Sequence, residues 1–261
     1  MFTIISESRK LFAGLLVVFT LAGCGGNVES CLEEQTCGPV IEVPKSASAL
    51  PLDPSDTFWT TDSRFTLVEL GPQMITNPKW PDPSIKNVRI AAARDGEDIA
   101  ICLEWDDPTR DRTFGISSLY IDMAALMFPL SLQGEFPAIT MGEPGKMVNI
   151  WQWKDPQSPE SVRSERAGHV KSKSEFPIVV EDLNAEGYST LTEQDEQNVQ
   201  GGSFWNDGKW RIVFKRRMDT GDDNDVQLTG SSLMAVAVWN GANRERNGQK
   251  GLVGWLLLKF V

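Results

Sequence analysis

Histidine is nearly absent from this sequence: His169 is the only one in 261 residues. That excludes bis-histidine haem, His-rich zinc centres and any metal site that needs two imidazoles. No Cys-x-x-Cys-His occurs either, so covalent c-type haem attachment is excluded. Basic side chains are in the minority, 25 against 36 acidic ones, for a net charge of −11. Such a chain lacks the basic face that nucleic-acid binding requires. A hydrolase triad would have to use His169, yet no Gly-x-Ser-x-Gly elbow accompanies it. Phosphate-binding glycine loops and dinucleotide fingerprints are missing as well. The residues therefore offer no catalytic constellation.

Long apolar runs are also lacking. The stretch from Leu11 to Thr20, preceded by Arg9 and Lys10, falls short of the ~20 residues a membrane span needs. A basic start, a short apolar stretch and small residues ahead of Cys24 read as an export signal over residues 1–23. Leu21-Ala22-Gly23-Cys24 resembles the bacterial lipobox, whose cysteine carries the lipid. The expectation is a periplasmic or extracytoplasmic protein, lipid-anchored to a membrane through Cys24. In that oxidising setting Cys31 and Cys37, within one polar segment, are expected to form a local disulfide. Cys102, in Ile99-Ala-Ile-Cys-Leu-Glu-Trp105, reads as core. Residues 24–55 read as anchor and flexible linker, rich in Gly, Ser, Pro and Glu and without apolar periodicity.

What is present from 56 to 261 is short-strand patterning of a size that suits one domain. Val88 to Ala93, Asp95-Gly96 and Ile99 to Trp105 make a hairpin, and Phe204 to Trp210 turns through Asp207-Gly208 into a second. Trp210, Ile212 and Phe214 alternate onto one face. Met147 to Trp153, Ser232 to Trp239 and Leu252 to Phe260 read as further strands, and Ile121 to Met127 as a short helix. The pattern predicts a mainly β fold, a two-sheet antiparallel β-sandwich with a few short helices. His169 falls in the charged stretch 154–174 and reads as a solvated loop residue. Asp219 to Asp225 clusters oxygens but lacks the spacing of an EF-hand loop, so an acidic turn is expected.

Two segments carry more. One is Phe136-Pro-Ala-Ile-Thr-Met-Gly-Glu-Pro-Gly-Lys-Met-Val-Asn-Ile-Trp-Gln-Trp153, preceded by Asp122-Met-Ala-Ala-Leu-Met-Phe-Pro129. The other is Ala235-Val-Ala-Val-Trp-Asn-Gly-Ala-Asn-Arg-Glu-Arg-Asn-Gly-Gln-Lys250, followed by Trp255-Leu-Leu-Leu258. With Gly208 to Lys215 between them, the pattern resembles the haem-binding γ subunits of exported molybdenum enzymes. These are the third subunits of ethylbenzene and dimethylsulfide dehydrogenases and of selenate and chlorate reductases. The resemblance spans most of residues 56–261.

The resemblance implies one non-covalent b-type haem with a methionine and a lysine as axial ligands. By motif these fall on Met141 and Lys250. It also implies an electron-transfer role beside a molybdopterin catalytic subunit and an iron–sulfur subunit, with an external c-type cytochrome or quinone-linked redox partner. A thioether favours reduced iron, and a lysine ligates only as the free amine. Met147 and Met127 are the competing thioethers. Trp151, Trp153 and Trp239 are candidates to pack on the porphyrin, and Arg244 and Arg246 to pair with its propionates. The acidic net charge suits docking to a basic redox partner. The competing expectation is a lipid-anchored β-sandwich that binds carbohydrate through aromatic platforms, without haem.

Overall fold

Thirteen strands form among the described residues, and in several of them alternation of apolar side chains gives two faces that bury different things. The computed structural model describes residues 38–112, 120–155 and 174–261. Six strands form one sheet: β2 (Thr66–Glu69), β3 (Asn87–Arg94), β4 (Asp98–Asp106), β11 (Lys209–Arg217), β10 (Gln200–Asn206) and β7 (Ser174–Val179), in that spatial order. Seven form the other, in the order β1 (Val40–Val43), β13 (Gly251–Phe260), β12 (Ser232–Trp239), β5 (Met123–Pro129), β6 (Val148–Lys154), β8 (Glu181–Ala185) and β9 (Thr192–Glu193). All pairings are antiparallel except β1 on β13. The fold is a two-sheet β-sandwich with a single four-residue α-helix, Thr57–Thr60, among the described residues.

Aromatic side chains join the sheets. Trp153 of β6 meets Trp210 of β11 at 4.8 Å and Trp105 of β4 at 6.3 Å between ring centroids, and all three are buried. The alternating Trp210, Ile212 and Phe214 face inward as expected. A polar cluster lies in the same interior. Arg216 donates 2.9 Å to Asp225 and 3.2 Å to Asn149, and its guanidinium covers the Trp151 ring at 4.8 Å. Asp182 lies 3.7 Å from the same guanidinium nitrogen. Asp225 thus ends the acidic turn 219–225 inside the molecule. No cluster of His, Cys, Asp and Glu suited to a metal ion occurs among the described residues.

Both predicted hairpins form, with Asp207 and Gly208 at φ 51° and 75° in the second turn. Two expectations differ. Ile121 to Met127, read as a short helix, is extended: β5 runs Met123–Pro129 between β12 and β6. Burial on both faces makes its apolar run continuous, which hides the period-two signal. The segment read as linker also joins the fold before residue 56. Val40–Val43 pairs in parallel with β13, Ile41 and Val43 are buried, and the flanking prolines are tolerated because β1 is an edge strand. Residues 50 to 59 then cover the outer face of the six-stranded sheet. Lys215 and Arg211 donate to the carbonyls of Leu50 and Pro54 at 3.2 and 3.0 Å. Leu50 and Trp59 bury Cys102, whose thiol is pushed up by burial. Cys24, Cys31, Cys37 and His169 lie outside the described residues. No helix among the described residues is long and apolar enough to cross a membrane.

Candidate functional site

The outer face of the seven-stranded sheet carries a second apolar surface, and it is not covered by another sheet. Its rows follow from strand register: Ala235, Met127 and Ile150; then Ala237, Ala125 and Gln152; then Trp239, Met123 and Lys154. Three alanines on this floor leave a hollow that larger side chains would fill. Over it stands a cavity of about 490 Å³, walled by the loops at 73–76, 139–141, 188–191 and 247–250. That volume falls in the ~300–1,000 Å³ range of cofactor and ligand pockets.

Met141 and Lys250 both line this cavity, although 109 positions separate them in sequence. Met141 holds a left-handed backbone, φ 70°, which a non-glycine residue adopts at a cost of ~1–2 kcal/mol. Its carbonyl accepts from the Gly187 N–H at 2.7 Å. Gly142 follows at φ 79°, where a Cβ would lie 2.6 Å from the Lys146 carbonyl oxygen and 3.0 Å from that of Ala185. Beyond it the Pro144-Gly145 turn is closed by paired backbone hydrogen bonds between Glu143 and Lys146, 3.3 and 2.8 Å, with an ion pair of 2.8 Å between their side chains. The Met-Gly-Glu-Pro-Gly-Lys block is therefore a rigid turn that presents the Met141 thioether to an apolar cluster.

Lys250 enters from the opposite end of the strands. Its ammonium lies 4.7 Å over the Trp239 ring and has no carboxylate partner among the described residues. Burial alone draws its pKa down to about 8. A neutral amine is thereby accessible near physiological pH. The loop that carries it is pinned by Glu245, a buried carboxylate that accepts from Trp80 Nε1 (3.0 Å), the Ser84 N–H (2.9 Å) and the Asn240 N–H (3.0 Å). Sequence reasoning passed over Glu245, because nothing in the chain shows that it meets residues 161 to 165 positions away.

The remaining predicted site residues divide. Trp239 lines the cavity, as does Met127, with Met123 as a further thioether. Trp151 does not: it is fully buried on the opposite face of β6, against Phe128 at 4.7 Å, and Trp153 shares that face. The period of two in the strand sends Asn149, Trp151 and Trp153 inward and Ile150, Gln152 and Lys154 to the cavity. Arg244 and Arg246 are exposed and outside the cavity wall, and Arg246 is engaged with Tyr120, its Nη1 2.8 Å from the phenol oxygen. Met147 is likewise absent from the lining. Gln152 and Lys154 were missed, and alternation along Val148–Lys154 was the available signal.

Fold and cavity define a class: a β-sandwich whose sheet face holds an apolar pocket walled by thioethers, with Met141 on one side and, on the other, the Lys250 amine, which has no carboxylate partner among the described residues. A model of the ethylbenzene dehydrogenase family matches residues 56–176 and 167–251, which take in both sides of the pocket. The chain belongs to that family.

Among curated relatives, a Haloferax mediterranei protein named for a respiratory nitrate reductase heme subunit is 28% identical over 185 residues, 70% of this chain and 59% of the relative. The dimethylsulfide dehydrogenase subunit gamma of Rhodovulum sulfidophilum is 28% identical over 254 residues, 90% of this chain and 85% of its own. The chlorate reductase subunit gamma of Ideonella dechloratans is 25% identical over 173 residues, 65% and 63%. The chain thus spans less than two thirds of the first and third of these relatives.

Solved structures with a similar course include a Bacteroides uniformis protein described as carbohydrate-binding (TM-score 0.49, 10% identity, 86% of this chain and 100% of that one). A family 9 carbohydrate-binding module of Caldicellulosiruptor kristjanssonii in complex with cellotriose is similar too (TM-score 0.39, 10% identity, 84% and 94%). Similarity at that level carries no argument about ligands.

Proposed function

We propose that this chain is the electron-transfer γ subunit of a molybdoenzyme complex, with one b-type haem held between Met141 and Lys250. The observation that carries the reading is the pair itself: a thioether and an unpaired, burial-depressed amine walling one apolar cavity. The donor set suits the group. Haem iron accepts soft thioether and nitrogen donors, and among the described residues the pocket wall contains no imidazole or thiolate that would compete.

When bound, the haem supplies a reversible one-electron couple. This chain's residues fix how it is used. Met141 and Lys250 would hold the iron, and a cofactor with two protein donors would suit a relay rather than bond chemistry. The Met141 turn and the Glu245-pinned loop hold the two donors at fixed positions before the cofactor arrives, which lowers the cost of ligation. The apolar floor of Ala125, Ala235 and Ala237 excludes water from the macrocycle. Partners in this reading are a molybdopterin subunit, an iron–sulfur subunit, and an external c-type cytochrome or quinone-linked donor or acceptor. The names of the relatives support that setting. The carbohydrate reading has less support in the geometry: of the aromatic side chains on the cavity wall Trp239 is buried, which leaves Tyr188 as the exposed ring there among the described residues.

The full chain reconstituted with haem tests the proposal through optical and magnetic spectra. Stoichiometric low-spin b-type haem is expected, with altered ligation in Met141→Ala and in Lys250→Ala. Failure to bind haem, or unchanged spectra in both variants, refutes it. Localisation is a second part of the proposal. Cys24 carries lipid and tethers the complex outside the cytoplasm, multiple acylation being needed for stable anchoring. A Cys24→Ser chain, expressed without its partner subunits, is expected to leave the membrane fraction; continued sedimentation with membranes counts against the anchor.

A further inference from the structure

We propose that Lys154, with Gln152 beside it on the same strand face, is the carboxylate-binding end of the cavity and anchors the haem propionates. The inference rests on the haem reading above and adds an assignment that Arg244 and Arg246 do not fulfil. Lys154 and Lys250 are the two cations in the cavity wall among the described residues, and no aspartate or glutamate lines it. Lys250 is drawn to the iron. Lys154 remains for an anionic substituent.

Its position suits that task. Register places Lys154 opposite Met123, which in turn lies opposite Trp239, so the lysine stands in the same row as the Lys250-bearing wall. Its side chain is 35% exposed, at the edge of the pocket rather than in its floor. There an ammonium keeps part of its hydration while it meets a carboxylate. Gln152, two residues back on β6, lines the same cavity, and its side-chain amide makes no hydrogen bond among the described residues. A donor amide next to an ammonium is a carboxylate subsite in chemical terms. Lys154 already pairs with Glu181 at 2.5 Å, also 35% exposed. Glu181 holds the ammonium at the cavity edge and is one group with which a propionate must share it.

Haem and haem dimethyl ester, whose carboxylates are capped, distinguish this anchor from general apolar binding. Each is titrated into the full chain, and affinity is read from the Soret band and from transfer to apomyoglobin. Wild-type protein is expected to prefer the free acid. Lys154→Gln is expected to weaken the acid about five- to tenfold, the span of a half-exposed charge-assisted pair, and to leave the ester and the axial-ligand spectrum as they were. Glu181→Gln keeps Lys154 and removes one competing carboxylate, so it is expected to tighten the acid form alone. An acid-to-ester ratio that stays constant in both variants overturns the assignment, as does a ratio that collapses in Arg244→Ala or Arg246→Ala instead. Absence of a Soret band with either form in the wild type overturns the haem reading itself.

Discussion

Trp239 and Lys250 form one mechanical unit. The lysine ammonium lies 4.7 Å over the indole ring, while the indole N–H donates 3.1 Å to the Asn247 carbonyl oxygen and so ties down the turn that leads to the lysine. One side chain both supports the amine and fixes its loop. The pKa of Lys250 is drawn down by its burial, with no carboxylate partner among the described residues to offset it.

Trp239→Phe separates these contributions. Phenylalanine keeps a ring under the amine but loses the donor to Asn247. The expected outcome is a loss of about 1–2 kcal/mol in urea denaturation of the haem-free chain, from one hydrogen bond and reduced packing. In the haem-loaded chain a mixed ligation spectrum is expected. A variant with wild-type stability and a single unchanged spectrum shows that the loop is held by other contacts.

Met141 spends backbone strain on a position that packs only partly. Met141→Gly relieves the left-handed penalty of ~1–2 kcal/mol and loses a similar amount of apolar contact. Stability of the haem-free chain is therefore expected to stay within about 1 kcal/mol of wild type, while Met-type ligation disappears. A loss of 3 kcal/mol or more, on the order expected for an ordinary core methionine, would mean that the residue serves packing rather than ligation.

Gly142 tolerates no side chain. At φ 79°, a Cβ would meet two backbone carbonyl oxygens at 2.6 and 3.0 Å, and neither is the tip of a flexible side chain. Gly142→Ala is expected to cost at least about 2 kcal/mol and to lower haem affinity with it, because the turn that carries Met141 must shift. Denaturant titration and haem titration of the same preparation check both effects.

Asp122 makes stability depend on pH. Its oxygens accept from the Gly241 N–H (2.9 Å), the Asp111 N–H (2.8 Å) and Trp210 Nε1 (3.1 Å), and burial, with Asp107 near, pushes its carboxyl up to about 8. The folded chain then holds a proton that the unfolded chain releases near 3.8. Stability from this group is full below the unfolded value and is lost as pH rises through the folded one. Asp107, raised to about 6, and Asp182, raised to about 7, act in the same direction. The denaturation midpoint is expected to fall between about pH 5 and about pH 8, and to fall less in Asp122→Asn, which mimics the neutral acid. Equal slopes in the two proteins assign the pH dependence to other groups.

The sequence by itself determined strands β3, β4, β6, β11, β12 and β13, both Asp-Gly hairpins and the two motif blocks on which Met141 and Lys250 lie. Each of these is written in local periodicity, turn chemistry or residue order. It misread β5, because a strand buried on both faces loses its alternation. It also read β1 as linker, because prolines that break a central strand are harmless at an edge. Tertiary structure alone decided which side of β6 faces the pocket, sending Trp151 and Trp153 into the sandwich and Gln152 and Lys154 to the cavity. It also brought Glu245 to Trp80 and Ser84 and set Met141 against Lys250 across a floor of alanines. Those relations depend on strand register and on contacts between residues more than a hundred positions apart. One residue of slip reverses every face of a strand, and no local pattern encodes a partner at that distance.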